Sequence, residues 1–397
     1  MAGVNTAKPA IATRVKLAKA FDIRRIRPEA LVLGTSRSHI GLRMTHPGWG
    51  GQPTRRYNAA FDGATTKEMY AYLRHAHAVG RLREVVLGLD TWQLGSGPAT
   101  VRADFDASLL RTGLGSLDWL SVALADARLF ANLDTLGASL TTLRGQDERR
   151  GWLGADGQRL GEVFFRDVEP AFVAGPGDYL RSVDRQEVGY KTAPASLRRG
   201  LAAAHPQSPA ADTSFDYIAR IVEFCRAESI ALRLFLTPAH AHQLEIAALV
   251  GEWPKIEGGK RALTELIAAD AQAHPDERPF RLYDFSGYSS VTTEPVPEPG
   301  SRAEMQYYWD SSHFKEQVGD WILDRLLDVR QLRPPPDDFG IELTIENVDA
   351  INARMHADTE AYRRGHPEDA HFLGELLTRP AGRGRWSRSR PRRLMDR

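Results

Sequence analysis

The sequence has little of what would indicate a disulfide-bonded, membrane-spanning or nucleotide-binding protein. Its single cysteine excludes an internal disulfide, and because Cys225 lies in an apolar helical pattern it is expected to be a buried thiol. No run of about 18 apolar residues is present that could cross a membrane. No turn carries Gly-x-Gly-x-x-Gly or a P-loop lysine. The sequence therefore predicts no nucleotide or other cofactor.

Charge is nearly balanced, at a formal +1, but it is unevenly distributed. Residues 379–397 hold eight arginines against one aspartate and show no apolar periodicity, so a disordered tail is expected there. Such a tail could bind nucleic acid or anionic lipid, or could be a solvated chain end. Since no zinc spacing or recognition motif accompanies it, no nucleic-acid partner is predicted.

Short apolar runs alternate with helical patterns along the chain, which predicts an α/β fold of three layers with a parallel sheet. The predicted strands are Ala30 to Gly34, Glu84 to Leu89, Ala231 to Thr237 and Arg281 to Phe285. The predicted helices are Thr65 to Val79, Thr213 to Ser229, Ile256 to His274 and Phe314 to Val329.

The composition of the chain suggests four parts. Residues 1–28 form a basic N-terminal segment, 29–340 the α/β domain, 341–378 a C-terminal helical extension and 379–397 the tail. A largely helical insertion at about 91–211 breaks the strand–helix rhythm, and it is expected to be a lid or substrate wall. Its aromatic residues are expected to be core: Trp119, Phe164 and Phe165. A long loop, Ser286 to Gln306, is also expected to be functional.

The stretch LVLGTSRSH, residues 31–39, places Ser36 at the carboxyl end of the first predicted strand. In open α/β sheets ligands bind at that edge. A Ser or Thr at this position could instead be the N-cap of the following helix.

Asp310 and His313 are three residues apart, just before an amphipathic helix. At this spacing a carboxylate can lie beside an imidazole, fix its tautomer and let it act as a general base. Asp310 or Ser312 could alternatively only cap the helix. His39 is too close to Ser36 in sequence to be the base.

Gly34-Thr35-Ser36 near one end of the domain and Asp310-x-x-His313 near the other resemble the SGNH (GDSL-type) hydrolase superfamily. The resemblance implies a flavodoxin-like sheet, with Ser36 as nucleophile, His313 as base and Asp310 as its partner. GTSRSHIGLRMTHPGW with YNAAFDGATTKEMYAYLRHA further resembles the membrane-associated, cell-envelope branch of that superfamily.

The same resemblance implies an oxyanion site made by the backbone amides of Ser36 and Gly63. Where the family has a donor asparagine, this chain has Asp90. A carboxylate cannot donate a hydrogen bond to an oxyanion. Three resolutions are open: Asn58 supplies the donor, which is the one we expect; burial keeps Asp90 protonated; or the site is altered or inactive.

Several other residues are expected near the substrate. Arg37 could bind a carboxylate or phosphate, or form a structural salt bridge. His240, with His242, could contact substrate, ligate a metal or pack at a helix start; with no third ligand at a suitable spacing, no metal site is predicted. The remaining expected substrate contacts are Trp92, Gln93 and Trp309.

Together these features predict a serine-dependent esterase or O-acyltransferase that acts on an acylated carbohydrate or a small ester. An alternative is a catalytically silent accessory protein that binds a glycan or an assembly partner at the membrane. The sequence as written predicts a cytoplasmic location. Relatives of this kind usually carry an amino-terminal membrane helix, and with such an anchor the location would be the cell envelope.

Overall fold

The computed structural model describes residues 14–95, 97–102, 104–110, 153–193, 212–329 and 334–378. Its sheet has six strands in the order β2-β1-β3-β4-β5-β6. The first five are parallel, and β6 runs antiparallel to β5. The strands are β1 (Ala30–Leu33), β2 (Arg56–Asn58), β3 (Glu84–Leu89), β4 (Ala231–Leu236), β5 (Arg281–Asp284) and β6 (Ile341–Glu342).

The α-helices of the described residues, in chain order, are α1 (Val15–Ile26), α2 (Ser36–Gly41), α3 (Thr66–Gly80), α4 (Pro170–Ala174), α5 (Pro176–Thr192), α6 (Ser214–Ala227), α7 (Ala241–Leu249), α8 (Trp253–Ala273), α9 (Glu316–Leu326), α10 (Val348–Gly365) and α11 (Pro367–Thr378). None of these helices is long and apolar enough to cross a membrane.

Helices cover both faces of the sheet, so the predicted three-layer α/β architecture is confirmed. Side chains of β1 alternate between the layers: Leu31 and Leu33 join a core with α1, α3, α6 and α8, whereas Ala30 and Val32 join a core with α9. The four predicted strands and four predicted helices are all present, with boundaries shifted by at most a few residues. Cys225 is fully buried in the first core, and burial raises the pKa of its thiol.

In the strand order 2-1-3-4-5, the chain adds β2 on one side of β1 and β3 on the other. Such a switch point opens a crevice beyond the carboxyl ends of the strands. Gly34 turns the chain off the end of β1 at φ +154°. A Cβ on Gly34 would lie 2.4 Å from the Ser38 hydroxyl, so only glycine fits this turn. Ser36 therefore emerges at the switch point.

The insertion and the chain ends fall partly outside the described residues. The helical prediction around Trp119 and the arginine-rich tail both lie outside them. Helix α1 buries Ala20 and Ile23 in the core, so residues from Val15 onward belong to the α/β layers rather than to a separate basic segment. Likewise β6 extends the sheet, so the C-terminal extension is not wholly helical.

Helix α11 docks on α5 and α7 around a fully buried histidine. Nδ1 of His242 lies 2.7 Å from Asp184 Oδ2, and its Nε2 lies 3.4 Å from Asp369 Oδ1. Burial lowers the pKa of His242, but the attraction and hydrogen bonds of the two carboxylates outweigh it and raise the pKa to about 9. The docked C-terminal helix is thus held by a charged imidazole.

Because its folded pKa of about 9 exceeds the ordinary value of 6.5, the His242 charge stabilises the fold fully below pH 6.5. That contribution falls as pH rises through about 9. We expect the stability difference between wild type and His242→Gln, measured by urea unfolding, to shrink between pH 6.5 and 9.5. His371→Gln, at an exposed histidine of α11, is the control and should leave the pH slope unchanged. A constant difference for His242→Gln would contradict this assignment.

Helices α2 and α9 meet without intervening side chains at Gly319. A Cβ on Gly319 would lie 1.8 Å from the Gly41 carbonyl oxygen. Since α2 begins at Ser36 and α9 follows His313, this glycine contact fixes the separation between the two residues.

Gly319→Ala should therefore push α9 away from α2 and destabilise the protein by about 1–3 kcal/mol, as overpacking does. Gly258→Ala is the matched control, because Gly258 lies inside α8 with open space around it. There the loss of backbone freedom in the unfolded chain should stabilise by about 0.5–1 kcal/mol. Equal stability changes for the two variants, measured by denaturant unfolding, would refute the close contact.

Candidate active site

The structure brings Ser36, His313 and Asp310 together in one hydrogen-bonded chain, although 274 residues separate the first from the last. The Oγ of Ser36 lies 2.8 Å from Nε2 of His313. Nδ1 of the same imidazole lies 2.9 Å and 3.0 Å from the two carboxylate oxygens of Asp310. These distances are those of a nucleophile, a general base and its orienting carboxylate.

Thr35, rather than Ser36, caps helix α2. Its hydroxyl accepts a hydrogen bond from the backbone N–H of Arg37 at 3.4 Å, while its own backbone is extended. Ser36 is the first helical residue, and its hydroxyl is free to bond His313. The helix-capping role considered for this stretch thus belongs to Thr35 and not to Ser36.

A tight turn holds the imidazole against its carboxylate. Oδ1 of Asp310 accepts the backbone N–H groups of Ser312 and His313 at 2.7 and 2.9 Å. The turn is closed by the Trp309 N–H, which donates to the His313 carbonyl. Burial raises the pKa of Asp310, but the imidazole and these amides outweigh it, so the pKa is lowered overall. Asp310 therefore remains a carboxylate beside His313.

The insertion supplies the wall behind His313. Phe165 is buried in a cluster with Ile40, Phe172 and Trp309, and its ring stacks on the Trp309 indole at 5.1 Å between centroids. The same ring lies 6.1 Å from the His313 imidazole. Phe165 is thus core, as predicted. Trp309 does not line the cavity and is 4% exposed, so its predicted role in substrate contact is corrected to packing.

A cavity of about 550 Å³ opens at Ser36 and runs toward α5, α7 and α8. Gly63, at φ +61°, belongs to the same lining as Ser36, and its predicted oxyanion role stays a prediction. Trp92 lies at the cavity with its indole half exposed. The charged residues of its lining are three of each sign: Arg37, Lys191 and Lys255 with Asp90, Glu187 and Glu252.

Asp90 is an acceptor on both of its oxygens. Oδ2 accepts the Trp92 indole N–H at 3.0 Å and the Thr35 hydroxyl at 2.9 Å, and Oδ1 accepts the Thr237 hydroxyl at 2.6 Å. Nη1 of Arg37 also lies 3.5 Å from Oδ1. Because these contacts make Asp90 an acceptor on both of its oxygens, Asp90 is not the donor to an oxyanion.

Asn58 is not the missing donor either, and that prediction is wrong. Its side-chain N–H groups donate to the carbonyls of Ser38 and Leu42 at 2.9 and 2.8 Å, and its Oδ1 accepts the Ala60 amide. Both amide hydrogens are therefore used to tie the end of β2 to α2. The side chain is fully buried and absent from the cavity wall.

Two further substrate contacts need correction. Gln93 is buried; it accepts the Asp90 backbone N–H and donates to the Ala64 carbonyl, so it braces the loop after β3. His240 is fully buried, with Nε2 at 2.8 Å from the Glu294 carbonyl. Burial lowers the pKa of His240 to about 3, so it is a neutral packing residue at the start of α7.

His39 and Asp62 form another histidine–carboxylate pair, which at 3.3 Å is longer than the pair of His313 and Asp310. The imidazole is 1% exposed, and burial lowers its pKa to about 3. His39 bonds neither Ser36 nor a residue of the Asp310 turn among the described contacts. It is structural, in agreement with the sequence argument.

Sequence reasoning missed three polar residues that hold the site. Thr237 and Ser312 contact Arg37, and the Glu294 carboxylate accepts the amides of Gln306 and Tyr307 just before the catalytic turn. The position of Thr237, directly after a buried strand and level with Ser36, was the available signal. Glu294 comes from the long loop that was expected to be functional.

The fold and the site define a three-layer α/β protein with a Ser-His-Asp chain at the switch point of its sheet. A scan against protein-family models and a search of curated proteins found no match for this chain. The functional conclusion therefore rests on the residues and their geometry.

Proposed function

We propose that the protein is a serine-dependent acyl-ester hydrolase or O-acyltransferase of the SGNH type. The observation that carries the proposal is the continuous chain from Asp310 through His313 to Ser36, with both contacts of the imidazole at 2.8 to 3.0 Å. A serine held this way at the edge of a cavity is an activated nucleophile.

In the proposed reaction Ser36 Oγ attacks the acyl carbonyl as its proton passes to Nε2 of His313. Asp310 accepts the Nδ1–H bond and stabilises the imidazolium that forms. The backbone amides of Ser36 and Gly63 bind the oxyanion. Collapse of the tetrahedral intermediate expels the alcohol, which takes the proton from His313, and leaves an acyl group on Ser36.

The balance of charges along the cavity favours an uncharged, polar substrate. Three cationic and three acidic side chains line it, and Lys191 is paired with both Glu187 and Glu252. Such a lining does not attract an ion of either sign over distance. An acylated carbohydrate, such as a glycan of the cell envelope, fits this lining, and the half-exposed Trp92 indole offers an apolar face for a sugar ring.

The acyl-enzyme can pass its acyl group to water or to a sugar hydroxyl. Transfer requires that the reacting centre be shielded from water. The aromatic wall behind His313 supports this second outcome, because Phe165 of the insertion stacks on Trp309 and closes one side of the site.

The test is labelling with a fluorophosphonate ester followed by mass spectrometry. We expect one adduct, on Ser36, that is absent from the Ser36→Ala protein. Ser38→Ala is the matched control, since its hydroxyl lies two residues away and is fully buried; it should be labelled like the wild type.

Failure of the wild type to form any adduct would contradict the proposal. It would favour the accessory-protein alternative, in which the cavity binds a glycan without turning it over. Binding of an acetylated oligosaccharide to the unlabelled Ser36→Ala protein would then be the property to measure.

A further inference from the structure

The predicted oxyanion site lacks its side-chain donor at two positions. Asp90 uses both oxygens as acceptors, and Asn58 donates both amide hydrogens to backbone carbonyls. A hydrolase of this kind gains about 10²- to 10³-fold in rate from one such donor. A replacement should therefore line the same cavity, close to Ser36.

Arg37 is a side chain of the right type in that place. It follows Ser36 directly, it is 8% exposed, and it lines the cavity together with Ser36 and Gly63. Its guanidinium extends from α2 across the carboxyl ends of β3 and β4 to the catalytic turn, where it meets Asp90, Thr237 and Ser312.

The contacts of this guanidinium fix it without using all its donors. Nε and Nη2 both donate to the Ser312 hydroxyl at 3.3 Å, and Nη1 donates to the Thr237 hydroxyl at 3.1 Å. With the Asp90 contact at 3.5 Å, these interactions occupy at most four of its five N–H groups. At least one N–H on Nη2 remains for a ligand.

Asp90 completes the arrangement by holding the arginine. The Thr237 hydroxyl accepts a hydrogen bond from Nη1 of Arg37 and donates one to Asp90. The Asp90 carboxylate therefore orients the guanidinium both directly and through a threonine. The aspartate that cannot donate to an oxyanion is thus well suited to position a residue that can.

We infer that Arg37 is the side-chain donor to the oxyanion in this site and that Asp90 is its positioning residue. This inference rests on the proposed function. As Ser36 Oγ bonds to the acyl carbon, the carbonyl electron pair moves onto oxygen and the serine proton moves to His313. The oxyanion then accepts hydrogen bonds from the amides of Ser36 and Gly63 and from an Arg37 N–H, until it reforms the carbonyl and expels the alcohol.

The test compares steady-state hydrolysis of p-nitrophenyl acetate, a neutral ester, by wild type and by Arg37→Gln, Arg37→Ala and Asp90→Asn. Arg37→Gln should lower kcat by about 10²- to 10³-fold with KM little changed, as loss of an oxyanion donor does. Asp90→Asn should also lower kcat. Arg281→Gln, which removes a guanidinium paired with Glu342 at the far edge of the sheet, should leave kcat unchanged.

Chemical rescue separates catalysis from folding. Millimolar guanidinium ion should restore part of the rate of Arg37→Ala, but not that of Arg37→Ala combined with Asp90→Asn, because the anchor is then missing. Three results would overturn this inference and leave the proposed function standing. They are an unchanged kcat in Arg37→Gln, a higher kcat in Asp90→Asn, or an effect of Arg37→Gln that is confined to a raised KM for an anionic ester such as p-nitrophenyl hemisuccinate. A wild type that neither hydrolyses the ester nor reacts at Ser36 would overturn the proposed function, and this inference with it.

Discussion

Replacement of Ser36 by alanine should lower kcat for ester hydrolysis by about 10⁶-fold, and replacement of His313 by alanine should cost nearly as much. The reason is that the two side chains act as one unit across the 2.8 Å bond between Oγ and Nε2. Without the hydroxyl there is no nucleophile, and without the imidazole no group accepts its proton.

The Ser36→Ala, His313→Ala double variant provides the sharper measurement. If the residues act together, the double variant should be about as slow as either single variant rather than the product of the two losses. Additive losses in the logarithm of kcat would mean that serine and histidine act independently, and the triad assignment would be wrong. Thermal unfolding of each variant checks that the fold persists.

Asp310→Asn should lower kcat by about 10⁴-fold while leaving KM little changed. An asparagine at this position can turn its amide N–H₂ toward Nδ1 of His313, which selects the tautomer with its proton on Nε2. That tautomer cannot accept the Ser36 proton. The buried carboxylate also loses the charge that stabilises the imidazolium, and Asp310 is only 1% exposed.

Asp62→Asn is the matched control for this change. Asp62 also lies beside a histidine, His39, at 3.3 Å, but that pair does not bond Ser36. The Asp62→Asn variant should keep a kcat close to that of the wild type. A similar loss in both variants would show that the effect comes from general disturbance of the fold.

The local sequence was sufficient to predict four of the six strands and to single out Ser36, Asp310 and His313. β1 and β3 read as strands because they are buried on both faces and therefore continuously apolar. The strand β2 was not predicted, because Arg56–Asn58 is only three residues long and carries polar side chains. Ser36, Asp310 and His313 were found because each stands at a strand end or before a helix, where the chain pattern changes.

The roles of individual polar side chains were decided by contacts distant in sequence. Asn58 and Gln93 have the chemistry of cavity donors, but their hydrogens are taken by backbone carbonyls of α2 and of the loop before α3. His240 stands at the catalytic edge in sequence order, yet its ring is turned into the Glu294 loop. A residue type gives the capacity to donate or accept, and only its neighbours show where that capacity is used.

Sequence by itself therefore determined the α/β class, the turn at Gly34 and the residue types of the Ser-His-Asp chain, because these depend on periodicity, backbone sterics and residue type. Tertiary structure alone decided that Asp90 accepts from Arg37 and Thr237, and that Asn58 is unavailable. Those facts depend on pairs 16 to 147 residues apart, whose meeting is fixed by the strand order and by helix packing rather than by any local pattern.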